Sequence, residues 1–307
     1  MSKPTPLISI VIVNYNTAQE TKDCLESLSK IKVKNFDYNI VIVDNGSKVE
    51  LKLPQKLINK HTELIRTEAN IGFTGGNNLG IAHAVKSYNS DYFLLLNSDT
   101  TVKPNFLIKL FTCLQEDNQA GIASSKIYFY PGNEFHKNYA KKHEGKVLWY
   151  AGGSIDWLNL AAFHRGVDEV DRGQFDQQLT SDFATGCSML LRREVIEDVG
   201  ILDKKYFLYL EDVDFSVRTK NLGYKLLFCP ESIVWHKNAG SSEGAGSQIQ
   251  QYYQTRNRLL FFIKYGSLKT KLTGLRLMFN FLTKGNTVER KAVYDYLMGQ
   301  FGKQPVI

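Results

Sequence analysis

The chemistry-bearing residues of this 307-residue chain stand where apolar runs stop. Tyr92-Phe93-Leu94-Leu95-Leu96 ends abruptly in Asn97-Ser98-Asp99, the pattern of a buried strand that delivers a carboxylate to the rim of a sheet, where open α/β sheets bind ligands. Asp99 is thereby a candidate for a metal or phosphate site, although the triplet read alone is also ordinary turn chemistry. Two more runs share the design: Leu7 to Val13 ends in Asn14-Tyr15-Asn16, and Tyr38 to Val43 ends in Asp44-Asn45-Gly46-Ser47. Three strand ends therefore offer Tyr15, Asp44 and Asp99. Farther on, Glu211-Asp212-Val213-Asp214 opens an expected helix with three carboxylates in its first turn, where the helix dipole favours the ionised form. The apolar Ile233-Val234-Trp235 then leads into His236.

The elements that must position these residues follow a βαβ rhythm. Strands are expected at about 7–13, 38–43, 62–67 and 91–96, alternating with helical stretches near 18–30 and 76–87, which predicts a doubly wound, mostly parallel α/β sheet. Pro104 to Glu116 reads as a helix with proline in its first turn, and Gly121 to Phe129 as a further strand. Pro131 to Gln178 is rich in Gly, His, Lys and aromatics without a sustained period, and is read as loops and short strands forming a wall beside the sheet. Ser181 to Arg192 reads as a strand, Glu194 to Val199 as a short helix stopped by Gly200, and Glu211 to Gly223 as the acidic helix. A strand at Lys225 to Cys229 is expected to turn at Pro230, and Gly240 to Ser247 is the clearest linker in the chain.

Composition bounds the class. The length suits one large α/β domain, 1–240, in two halves that divide at about residue 100, followed by a C-terminal segment at 247–307. No low-complexity tract or internal repeat is visible. Cys24, Cys113, Cys187 and Cys229 are far apart with no Cys-x-x-Cys pair, which excludes a zinc knuckle, reads as four small core residues and fits a reducing compartment. The start has no apolar signal region and no run is long enough to span a bilayer, so a cytoplasmic protein, or one bound at the inner face of the plasma membrane, is expected. Of the net charge of +7, the residues from Gln248 onward carry ten basic against two acidic side chains, which leaves the rest of the chain near neutral. A nucleic-acid role has little support, because that basic surplus carries no known binding motif.

The order of motifs resembles family 2 glycosyltransferases of the GT-A fold, and within them the rhamnosyltransferase-like branch of bacterial polysaccharide enzymes. Eight motifs fall in the family's order over roughly the first 265 residues: Val11 to Asn16, Asp44 to Ser47, Asn70 to Phe73, Gly76 to Gly80, Asn97 to Asp99, Thr185 to Cys187, Glu211 to Asp214, and Arg256-Asn257-Arg258. The resemblance implies an inverting transfer of a sugar from a nucleotide diphosphate, with dTDP-rhamnose the leading donor and a UDP-sugar the alternative. The implied acceptor is a glycan, or a glycan linked to polyprenyl diphosphate.

Such a transfer needs a cradle for the nucleoside, a cation to offset charge on the leaving diphosphate, and a base for the acceptor hydroxyl. For the cradle, Asp44 is suited to accept a hydrogen bond from a pyrimidine N–H, Tyr15 to stack on the base, and Asn97 and Ser98 to meet the ribose. Gly72, Gly75, Gly76 and Gly80 with Asn77 and Asn78 read as a close-approach loop leading into a helix whose free N–H groups face the nucleotide. The stretch is neither a Walker loop nor a dinucleotide fingerprint. By resemblance, Asp99 and His236 hold Mn2+ or Mg2+, and Asn97, standing where the family carries an acid, weakens metal affinity. By the same resemblance Asp212 takes the base role, Glu211 orients the acceptor or a neighbouring loop, and Asp214 is structural, with charges that complement the helix dipole as the alternative for all three. Gly186 lets the backbone approach donor or acceptor. Arg256 and Arg258 are expected beside the diphosphate, with a solvated basic turn as the alternative.

Rival readings exist for the whole chain and for its tail. A sugar-nucleotide pyrophosphorylase shares the sheet, but its Gly-rich start with Arg and Pro is absent. An inactive nucleotide-sugar-binding subunit is motivated by Asn97. In the tail, Leu268, Leu272, Leu275, Phe279 and Leu282 form one helical stripe flanked by Lys269, Arg276 and Lys284. This basic amphipathic helix suits an anionic membrane, or else packs on the protein or on a second copy in a homodimer.

Overall fold

The computed structural model describes residues 5–58, 61–134, 137–238 and 246–306. The first half alternates as expected: β1 (Leu7–Asn14), α1 (Ala18–Leu28), β2 (Asp37–Asn45), β3 (Thr62–Thr67), α2 (Gly72–Tyr88) and β4 (Tyr92–Asn97). There follow β5 (Thr100–Val102), α3 (Phe106–Glu116), β6 (Ala120–Phe129), and the short strands β7 (Leu148–Tyr150), β8 (Gly153–Asp156), β9 (Ala161–His164) and β10 (Leu179–Thr180). The chain then forms β11 (Ser188–Arg192), α4 (Arg193–Val199), α5 (Glu211–Asn221), β12 (Lys225–His236), α6 (Gln248–Tyr265), α7 (Leu268–Lys284) and α8 (Thr287–Leu297).

The main sheet runs β10-β12-β6-β11-β4-β1-β2-β3. Pairs β3-β2, β2-β1, β1-β4 and β6-β12 are parallel, while β11 runs antiparallel between β4 and β6. Register places Asn14 opposite Asp44 and Val13 opposite Asn97, so the polar residues that end three strands share one rim. Because β11 is reversed, the residues just before it, Thr185-Gly186-Cys187, come to that same rim. His236 ends β12 opposite Thr100 of β5 and joins them.

The sheet is covered on both faces, which is why its strands are nearly continuous in apolar residues. Ile8, Ile10 and Ile12 pack on one side in a cluster with Leu25 of α1 and Leu110 of α3, while Val11, Phe93 and Leu95 pack on the other with Ile81 of α2 and Phe215 of α5. Two expectations change here. The glycine cluster is not a loop: α2 begins at Gly72, and a Cβ on Gly76 or Gly80 would lie 2.7 Å from Val13 or 2.3 Å from Val11, so these glycines let the helix lie close on β1. Pro230 does not end the strand either, because it falls at a register shift between Cys229 and Ile233 and β12 continues to His236.

The cysteine expectation is also corrected in part. Cys24 and Cys187 are buried and free, but α3 packs over β12 and brings Cys113 and Cys229 together as a disulfide. The expected linker at Gly240 to Ser247 lies mostly outside the described residues. Where description resumes, Ser247 caps α6 by accepting a hydrogen bond from the Gln250 N–H. Phe261 and Phe262 of α6 belong to the main core, and α7 and α8 pack on α6 through Leu259, Met278 and Val293.

Candidate active site

A cavity of about 510 Å³ opens at the polar rim of the sheet. Eight of the residues singled out in the sequence line it: Asn97, Ser98, Asp99, Gly186, Glu211, Asp212, His236 and Arg258. They arrive from β4, the turn before β5, the turn before β11, the first turn of α5, the end of β12, and α6.

On the sheet side, Asp99 Oδ1 lies 3.0 Å from His236 Nε2, and Asn97 Nδ2 lies 3.4 Å from the same nitrogen. Asn97 Oδ1 and His236 Nδ1 are buried without a hydrogen-bond partner. A carboxylate, an imidazole and an orphaned amide oxygen at one wall fit a hard divalent cation that takes its remaining oxygens from phosphate and water. Among the described residues no three His, Cys, Asp or Glu side chains converge, so the protein alone does not complete a coordination shell.

Across the cavity, Asp212 is held by two backbone donors, Gly186 N–H to Oδ2 at 3.0 Å and Val213 N–H to Oδ1 at 2.8 Å. Burial outweighs these bonds and raises its pKa above the ordinary aspartate value. Glu211 is buried with Oε2 unpartnered, and burial, followed by the neighbouring Asp212 charge, pushes its pKa well up. Both carboxyls of the pair are thus shifted upward, Glu211 the more strongly. Asp214 has no such freedom: it accepts from Tyr206, Arg218, Lys264 and Tyr265 and ties α5 to α6.

The segment that leads into α5 is strained. Phe207, Tyr209 and Leu210 have φ of 63°, 68° and 68°, and left-handed backbone costs a non-glycine residue about 1–3 kcal/mol. Gly72, at φ 81°, sits against it, where a Cβ would lie 2.4 Å from the Phe207 ring and carbonyl.

The remaining predicted residues are elsewhere. Tyr15 is half-buried in the turn after β1. Asp44 is fully buried and does not line the cavity; Asn14, the Leu51 N–H and Arg66 donate to its oxygens. Burial pushes its pKa up, but hydrogen bonds from Ser47, Leu51 and Asn14, together with the Arg66 charge, hold it below the ordinary value. Asn77 lies inside α2 and donates to the Phe73 carbonyl. Arg256 is not beside the cavity: it is fully buried and donates to the carbonyls of Gly302, Lys205 and Tyr206. Arg258, two residues on, does line the cavity, and burial lowers its pKa from the ordinary arginine value.

Trp149 and His164 were missed. Both line the cavity, and the Trp149 ring is packed edge-on by His164 at 4.3 Å and by His236 at 4.6 Å. His164 Nδ1 donates to the Trp149 carbonyl at 3.0 Å, which leaves Nε2 as an acceptor, and burial pulls its pKa down to about 4. The only signal was the aromatic and histidine content of an aperiodic stretch. Their presence places part of the 131–178 segment on the cavity wall.

Comparison with known proteins identifies the family and the fold. The sequence profile of Glycosyl transferase family 2 matches residues 9–200. The low-salt glycan biosynthesis hexosyltransferase Agl10 of Haloferax volcanii is 26% identical over 253 residues, 82% of this chain and 74% of that protein. The dTDP-rhamnosyl transferase RfbF of Shigella flexneri is 24% identical over 270 residues, 84% of this chain and 80% of that protein. The crystal structure of GalNAc-T7 with UDP, GalNAc and Mn2+ superposes with a TM-score of 0.60 at 18% identity, covering 97% of this chain and 59% of that one. The last likeness shows the GT-A fold.

Proposed function

The chain belongs to glycosyl transferase family 2, and from that premise we propose an inverting transferase that moves L-rhamnose from dTDP-rhamnose to a glycan or polyprenyl-diphosphate-linked glycan in cell-surface polysaccharide synthesis. One observation carries the reading: a single cavity holds the Asp212 carboxylate, the Asp99–His236 pair and the Arg258 cation. In a single displacement the acceptor oxygen attacks the anomeric carbon and its proton passes to Asp212. The bond from that carbon to the diphosphate breaks, and the electron pair leaves on the diphosphate oxygen. Arg258 offsets the charge that develops there. Asp99 and His236 would hold Mn2+ or Mg2+, which supplies further charge compensation. Glu211, buried with Oε2 unpartnered, orients the acceptor hydroxyl, and Trp149 and His164 form the acceptor wall.

The nucleoside is assigned to the region of Tyr15 and Asp44, with Asn97 and Ser98 at the ribose. Asp44 is held ionised, and its bonds to Asn14, the Leu51 N–H and Arg66 fix the end of β2 against which the nucleoside would lie. The dTDP donor is preferred because a relative similar over 84% of this chain carries that donor in its name. The exposed stripe of α7, with its cationic flanks, supports a place at an anionic membrane surface, where a lipid-linked acceptor resides. A thermal-shift panel of thymidine, uridine and guanosine diphosphate sugars with Mn2+ or Mg2+ tests the donor, since a bound ligand raises apparent stability. We expect the largest shift with dTDP-rhamnose. A larger shift with a UDP-sugar would reassign the donor, and no shift with any nucleotide sugar would overturn the reading.

A further inference from the structure

We infer that Arg256 and Asn257 of α6 are positioning residues for Asp212: the C-terminal helices reach under residues 205–210 and fix the path by which the chain turns into α5. Asn257 Nδ2 lies 2.9, 2.8 and 2.9 Å from the carbonyl oxygens of Tyr206, Leu208 and Tyr209. Its Oδ1 accepts from Arg256 Nε at 3.0 Å, so the arginine sets which way the amide faces. The same guanidinium grips the Lys205 and Tyr206 carbonyls at 3.0 and 3.1 Å and is enclosed by Tyr252, Tyr253 and Phe301. Both side chains are fully buried, and neither is on the cavity.

The carbonyls they hold belong to the strained segment. Phe207, Tyr209 and Leu210 adopt left-handed backbone just before Glu211-Asp212, and such conformations persist only where the surroundings over-determine them. Asparagine suits the task because its amide is at once a double donor to carbonyls and an acceptor for Arg256. An aspartate would oppose carbonyl oxygens with acceptors alone. A second grip from α6, Lys264 and Tyr265 on Asp214, holds α5 farther along its first turns. Released from the Arg256–Asn257 pair, the segment relaxes toward ordinary backbone and Asp212 swings off the line of attack. A misplacement of about 1 Å costs on the order of 100-fold in rate without touching substrate.

This inference rests on Asp212 acting as the base. The test uses the full chain with donor, acceptor and Mn2+, and compares transfer at saturation with donor affinity by calorimetry. Asn257→Ala is expected to lower kcat roughly 100-fold while donor Kd stays within about threefold. In a Leu210→Gly background, where glycine adopts φ 68° freely, the same substitution should cost about tenfold less. If Asn257→Ala does not fold, Arg256→Lys carries the test: it keeps the charge, loses the fork that orients Asn257, and should lower kcat about tenfold at unchanged donor Kd. Wild-type kcat in folded Asn257→Ala or in Arg256→Lys, a donor Kd that weakens in step with kcat, or equal losses with Leu and Gly at 210 would each overturn the positioning role. Near-normal transfer by Asp212→Asn would instead remove the base, and this proposal with it.

Discussion

Asp99 and His236 meet because β5 pairs with β12, which sets His236 opposite Thr100 and its ring against the preceding carboxylate. Removing either should weaken cation-dependent donor binding, and Asp99→Ala more than His236→Ala, because only the former removes a negative charge from the cation's surroundings. Calorimetry of donor binding with and without Mn2+ should show a loss on the order of tenfold or more for Asp99→Ala and a few-fold for His236→Ala; unchanged Mn2+ dependence in both refutes the site. These two residues, with Asp212 and Gly186, were legible in the sequence because each stands at, or within two residues of, the end of a strongly patterned element. Arg256 was not, for a geometric reason: residues two apart on a helix point roughly 200° apart. Arg256 and Arg258 therefore cannot both face one cavity, and the spacing alone does not say which one does. Trp149 and His164 were hidden in a stretch without a period, where side-chain direction is set by tertiary pairing.

At the scale of elements, the strands β1 to β4 and the helices α1 and α3 were legible from apolar runs and their polar ends. The exceptions are places where packing outweighs local chemistry. The glycines of α2 suggest a loop until β1 is laid against them, at which point the missing side chains of Gly76 and Gly80 are contacts with Val13 and Val11. Helix α7 shows the converse. Its stripe of Leu268, Leu272, Leu275, Phe279 and Leu282 is 43–75% exposed, while Thr270, Gly274 and Met278 face inward, so the apolar side predicted from spacing is not the buried one. The cationic Lys269, Lys271, Arg276 and Lys284 on the same helix favour an anionic bilayer over a second copy of the face, which would set like charges against each other. We expect co-sedimentation with vesicles containing acidic phospholipid at low salt, falling several-fold at high salt, and little binding to neutral vesicles. Salt-independent or absent binding refutes the membrane role, and a concentration-dependent dimer broken by Phe279→Glu would place a second copy there instead.

For the molecule as a whole, the sheet gathers residues from distant parts of the chain onto one rim, and the C-terminal helices close the cavity from the other side by placing Arg258 in its wall and gripping the segment before α5. Asp212, the proposed base, is therefore held by backbone donors beside the buried Glu211, and burial raises its pKa. A base acts only when deprotonated, so the raised pKa sets the acid limb of kcat above the ordinary aspartate value, with activity rising as pH rises through it. The most direct test is the rate of nucleoside diphosphate release, followed with product formation across pH, for the wild-type chain and Asp212→Asn with dTDP-rhamnose, glycan acceptor and Mn2+. The prediction is release in step with glycosylated product, an acid limb displaced upward, and a loss of at least ~100-fold in Asp212→Asn with donor Kd within about threefold. Near-normal turnover by Asp212→Asn, with the same acid limb as wild type, would contradict it.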